Sequence, residues 1–150
     1  MRALLQRIFS ASVSVDGETI ASIQHGLLIL LGIEEADTSE DIDWLCGKIS
    51  RMRIFEDEGG KMNRSIQDIN GEVIVVSQFT LHASTKKGNR PSFLKAAPPA
   101  ISEPLYNAFC KALETELGKT IGRGIFGAEM QVSLINTGPV TIWIDSQNRE

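Results

Sequence analysis

The chain has little of what usually announces an enzyme's chemistry. Its 150 residues include two histidines, two cysteines, two tryptophans and one tyrosine. His25 and His82 have no carboxylate or cysteine partner at ligand spacing, which argues against zinc, and no metal is expected. G-x-x-x-x-G-K-[ST] and H-E-x-x-H are absent, so neither a P-loop nor a zincin helix is foreshadowed. No apolar run reaches the ~18–20 residues of a membrane span. "GLLILLGI" at 26–33 reads instead as a buried strand. The opening "MRALLQRIFSASVSV" lacks the apolar core and small-residue cleavage site of a secretory leader. Cys46 and Cys110 lie far apart at apolar helix positions. They read as reduced core residues of a cytoplasmic protein, against a disulfide or ligand role. A formal net charge of −4 argues against indiscriminate nucleic-acid binding but leaves room for a local basic patch that grips one structured RNA.

What is present is a soluble globular composition, 42% hydrophobic and 23% charged, at a length that suits one domain over residues 1–150. The N-terminal third is β-rich: "SASVSV" alternates, Asp16-Gly17 supplies a turn, and "ETIASI" and "LLILLGI" follow. Thr38 and Asp41 resemble a capping box ahead of a helix that buries Ile42, Leu45, Cys46, Ile49 and Met52. "RIF" and "EDEGGKMN" read as a strand entering a glycine-rich hairpin, with the acidic cluster at 56–58 as solvated surface. Asn70-Gly71 makes a turn before "EVIVVSQFTL", the most strand-like run. A long polar loop, "HASTKKGNRPSFLKAAPPA", precedes a second helix opening near Ser102-Glu103-Pro104 and ending at Gly118. The chain closes on strands "AEMQVSLIN" and "VTIWID". The expected fold is α+β: an antiparallel-rich sheet or partial β-barrel with two helices packed on it.

One motif fails on context. "GRGIFG" at 122–127 matches G-x-G-x-x-G, but a helix precedes it and a strand follows, the reverse of a dinucleotide site. Those glycines read as shaping a connection. Two polar islands in β-structure remain, "SQFTL" at 77–81 and "NTGPVT" at 136–141. In a continuous strand Gln78, Thr80 and His82 would share a face, so a hydrolase using Thr80 and His82 is one reading. It has no third group to orient the base, and His82 is otherwise a polar residue leaving the strand. Proline has no amide to give a sheet, so Gly138-Pro139 reads either as a turn between two strands or as a fixed backbone corner that recognises something. Lys86, Lys87 and Arg90 in "TKKGNR" offer phosphate contacts or form a merely solvated loop.

In "LLGI", "DTSEDIDWLCGKISRMRIFED", "GKMN", "VSQFTL", "KGNRPSF", "FGAEMQVSL" and "NTGPVTIWID", taken in order, the chain resembles the D-aminoacyl-tRNA deacylase family over almost its whole length. The resemblance implies a proofreading hydrolase of translation quality control. It would cleave the ester joining a D-amino acid, or glycine, to the terminal adenosine of tRNA. It further implies a homodimer without metal or cofactor, with Ser77, Gln78, Phe79 and Thr80 lining the pocket. Gly138-Pro139 is then a cis dipeptide that enters the partner subunit's pocket and rejects L-amino acids, while the 2′-hydroxyl of the tRNA activates water and Thr80 orients, the alternative being Thr80 as the nucleophile. Many members have aspartate where Thr137 and Ser84 stand here, which bears on fine substrate preference and not on the Gly-Pro corner. A tRNA-binding module without catalysis is the rival from another class.

Overall fold

The computed structural model describes residues 1–150. Strand β1 (Arg2–Val15) is the spine of the sheet, because it pairs with three others. Its C-terminal half pairs antiparallel with β2 (Glu18–Ile23) across Asp16-Gly17, which hold φ of 50° and 81° as a two-residue hairpin turn demands. Its N-terminal half pairs antiparallel with β3 (Gly26–Gly32). Helix α1 (Ser39–Arg51) starts where the Asp41 carboxylate accepts the Thr38 backbone amide at 2.8 Å. The small hairpin β4 (Phe55–Glu56) and β5 (Met62–Arg64) lies apart from the main sheet.

Strand β6 (Glu72–Ser77) runs parallel to β3, which requires the crossover that α1 provides. Both faces of β3 and β6 are covered, so their sequences are almost unbroken apolar runs. Leu27, Ile29, Leu31, Val73 and Val75 face the helices, while Leu28, Ile74 and Val76 join Ile8, Val13 and Ile23 in a second core inside the curl of the sheet. The chain then makes a 3-10 turn (Phe79–His82) and a long loop before helix α2 (Pro99–Leu117). β7 (Gly122–Arg123) adds parallel to β6, and β8 (Gln131–Asp145) pairs antiparallel with β1 along nearly its whole length. The result is a mixed, nearly closed, barrel-like sheet carrying two helices, as the sequence led one to expect. Cys46 on α1 and Cys110 on α2 are buried free thiols, and burial pushes them up to about 12 and about 11. No helix is long and apolar enough to cross a membrane.

Four local expectations need correction. "VSQFTL" is not all strand: Gln78 N–H donates to Leu31 O at 2.7 Å as the last bond of the ladder, and the backbone then tightens. A Cβ on Gly32 would lie 2.9 Å from Leu81 Cβ and 3.0 Å from Gln78 O, so glycine there makes room for the 3-10 turn. His82 does not leave toward solvent but is fully buried. Helix α2 begins at Pro99, a favoured first-turn position, and tolerates Pro104 within it. Finally, "NTGPVT" does not turn between two strands. β8 continues along the same partner, with Gln6 opposite Thr141 and Ile8 opposite Asn136, so residues 137–140 bulge out against Arg7 alone.

Candidate functional site

A cavity of about 600 Å³ opens where β6 hands over to the 3-10 turn. Ser77, Gln78 and Phe79 form one wall; Phe93, Phe126 and Met130 belong to the others. None of its lining side chains is ionisable. The first of the turn's hydrogen bonds runs from Leu81 N–H to Gln78 O at 3.3 Å. The amides of Phe79 and Thr80 precede it and have no acceptor within the turn. Thr80 is exposed at the mouth and does not line the cavity. Its Oγ1 accepts from Gln78 Nε2 at 2.6 Å, which fixes one side chain against the other. Phe79 is 57% exposed and packs edge-on against Phe93 with ring centroids 5.1 Å apart. Phe79 therefore stands on the cavity rim and does not fill the core.

Thr80 and His82 do not form a nucleophile and base. The turn sends Thr80 outward and His82 inward, where neither ring nitrogen has a hydrogen-bond partner. Burial, helped by the nearby Arg2 charge, holds this imidazole below the ordinary histidine value of 6.5. No three His, Cys, Asp or Glu side chains converge in a way that suits a metal ion.

The basic loop is pinned at its base: Ser84 and Ser92 exchange backbone hydrogen bonds of 2.8 and 2.9 Å. Lys86, Lys87 and Arg90 are exposed on the excursion between them, outside the cavity but contiguous with Phe93 on its rim.

Gly138 and Pro139 are exposed and joined by a cis peptide, and neither lines the cavity of their own chain. Gly138 has φ 120°, and a Cβ there would meet Arg7 Nη2 and Val140 Cγ2 at 2.9 Å. The bulge is braced from both ends. Asn136 Oδ1 accepts from Val140 N–H at 2.9 Å, and Asn136 Nδ2 donates to Thr141 Oγ1 at 2.9 Å. Beneath it Arg7, 3% exposed, donates to Thr137 O at 3.2 Å and Ile54 O at 2.7 Å and lies 3.6 Å from Glu56. Reading motifs alone missed Arg7. Its signal was a charge at an inward position of an alternating strand, where Met1, Ala3 and Leu5 precede it in phase. Phe9 and Ile135, 61% and 57% exposed, stand beside the bulge.

Comparison with known proteins shows the family and the fold. Residues 4–145 match the model of the family described as D-Tyr-tRNA(Tyr) deacylase. A D-aminoacyl-tRNA deacylase of Flavobacterium johnsoniae is 63% identical over 150 residues, covering 100% of both chains. One of Bacteroides thetaiotaomicron is 61% identical over the same span, again 100% of both. Among solved structures, a c-Myc DNA Unwinding Element Binding Protein superposes with a TM-score of 0.91 at 42% identity, over 97% of this chain and 98% of that one. A probable eukaryotic D-amino acid tRNA deacylase gives 0.82 at 16% identity over 95% and 97%, a likeness of fold.

Proposed function

The chain belongs to the D-Tyr-tRNA(Tyr) deacylase family, and from that premise we propose that it hydrolyses the ester joining a D-amino acid, or glycine, to the 3′-terminal adenosine of tRNA. Water adds to the ester carbonyl, the bond to the ribose oxygen breaks, and a proton passes to that oxygen, leaving free amino acid and tRNA. The observation that carries the reading is a cavity with a polar 3-10 turn at its mouth and no ionisable side chain in its walls. No wall side chain of this chain can serve as a general base, which supports assigning the proton to the substrate, whose 2′-hydroxyl is vicinal to a 3′ ester. The protein's share is positioning and stabilisation of the developing oxyanion by backbone amides, for which Phe79 and Thr80 are the candidates. Gln78 and Thr80 orient, and Ser77 closes the wall behind them.

The wall that rejects L-amino acids is assigned to Gly138-Pro139 of a second copy. The corner is exposed, braced by Arg7 and away from its own cavity, and apolar Phe9 and Ile135 beside it suit burial against a twin. Rejection by a rigid backbone reads handedness and leaves side-chain identity nearly unread. Lys86, Lys87 and Arg90 take phosphates at the 3′ end. A soluble enzyme acting on tRNA belongs in the cytoplasm. A Thr80–His82 hydrolase is not favoured, because His82 is buried behind the turn.

Deacylation of D-tyrosyl-, L-tyrosyl- and glycyl-tRNA by the purified protein tests this. Turnover of the D and glycyl esters with the L ester spared is expected; equal rates on both hands refute the chiral role. An amino acid esterified at the 3′ position of a tRNA ending in 2′-deoxyadenosine should be spared, and undiminished turnover would return the chemistry to the protein.

A further inference from the structure

Both tryptophans of the chain lie on one face outside the cavity described above, and each carries a cation. Two adjoining clefts of about 380 and 530 Å³ share Trp44, Lys48 and Met52 of the α1 segment. The Arg149 guanidinium lies 4.5 Å from the Trp44 ring centre and Lys48 Nζ 5.7 Å from it; Arg2 lies 5.5 Å from that of Trp143. Five of the chain's 15 Lys and Arg (Arg2, Lys48, Arg51, Arg53, Arg149) line these clefts, against three of its 19 Asp and Glu (Asp43, Asp145, Glu150). The face is therefore +2 on a molecule of −4. Of the five, Arg2 is paired with Asp145 at 2.9 Å and Arg51 more loosely with Glu116 at 3.6 Å, while Lys48, Arg53 and Arg149 have no carboxylate within salt-bridge distance.

We propose that this face holds the sugar–phosphate backbone of the tRNA beyond its 3′ end. A cation laid on an indole is held extended while keeping outward N–H groups for phosphate oxygens. Charge sign selects a polyanion, and two indoles among the cations suit a nucleic acid better than a simple anion. The face is also joined to the site: Arg2 Nη1 donates to Leu81 O at 3.0 Å, in the 3-10 turn that carries Thr80. One strand can thus leave the cavity mouth and continue across Arg2 and Trp143 toward Trp44. The inference rests on tRNA being the substrate, and it is tested without hydrolysis so that the two can fail separately.

Because the two tryptophans are both here, intrinsic fluorescence reports directly on this face. Uncharged tRNA should quench it with an affinity that falls steeply with salt, whereas a CCA trinucleotide should leave it nearly unchanged. A Lys48→Glu/Arg149→Glu protein should bind tRNA roughly tenfold or more weakly, with the slope of log affinity against log salt reduced by about one per cation removed. Lys111→Glu, an exposed cation on α2, makes the same kind of charge change elsewhere and should cost less than twofold by roughly the usual additivity of distant sites. The proposal is overturned if the double variant binds tRNA like the parent, or if Lys111→Glu costs as much per charge. It is also overturned if the fluorescence shifts with protein concentration alone, which would make the face a contact between copies. Loss of D-specific hydrolysis with this binding intact would sink the deacylase reading and leave the surface standing.

Discussion

Residues 77–82 and 136–141 are both polar interruptions of apolar β-structure, yet one is complete within a chain and the other is not. The first bends at the end of β6, lines a cavity and ties its own side chains together through Gln78 and Thr80. The second swells out of β8, is braced from below by Arg7, and meets no cavity of its own chain. The corner is exposed, braced from below and held with glycine at φ 120°, the features on which its proposed role toward a second copy rests. The difference teaches that one chain carries the cavity wall and the braced corner on separate surfaces, and under the proposed function the two meet only when a second copy brings its corner to this cavity.

Gly138→Val should give the largest effect. A branched side chain at φ 120° would collide with Arg7 and Val140 and occupy the space offered to the ligand. We expect kcat/KM on D-tyrosyl-tRNA to fall on the order of 10²-fold, the cost of misplacing reacting atoms by about an ångström, with far-UV circular dichroism unchanged. Next is Arg7→Ala, which leaves the carbonyls of Thr137 and Ile54 without their charged donor. The loss should be about 1–3 kcal/mol in stability, read by urea denaturation, with D-over-L discrimination weakened in parallel. Thr80→Ala should cost roughly fivefold in kcat, because one orienting hydrogen bond is worth about 1 kcal/mol. Complete loss, with Thr80→Ser restoring it, would make Thr80 the nucleophile and reverse the ranking of the two segments.

The smallest effect concerns His82. Its folded value lies below 6.5, so the unfolded chain takes up a proton first as pH falls. Stability should be full above about pH 6.5 and decline as pH drops below it toward the folded value. His82→Leu should flatten that decline in thermal melts between pH 7 and pH 5; an unchanged decline would assign it to carboxylates.

Much of this was legible in the residues because the forces were local. Asp16-Gly17 turn with both residues at positive φ, Asn70 turns at φ 50° ahead of Gly71, and Asp41 caps Thr38. The unbroken apolar runs of β3 and β6 announce strands covered on both faces. What was not legible depended on distant partners. Phe79 and Thr80 are good strand formers, and only the space left by Gly32 shows why the segment coils instead. Burial of His82 and the bulge at 137–140 come from the same cause, a long-range fit between elements that no local pattern encodes. The motif resemblance put Ser77, Gln78, Phe79 and Thr80 in the pocket lining; the first three line the cavity and Thr80 does not, whereas Arg7 emerged only once β1 and β8 were seen side by side.

Subunit complementation tests the two-surface account most directly. Ala128→Trp fills the cavity, Gly138→Val spoils the corner, and each protein alone should keep at most about a hundredth of the parental activity on D-tyrosyl-tRNA. Mixed dimers place both lesions in one site and leave the other intact, so equal mixing should restore about a quarter of the parental sites. Mixed dimers verified by native mass spectrometry that remain inactive would contradict it.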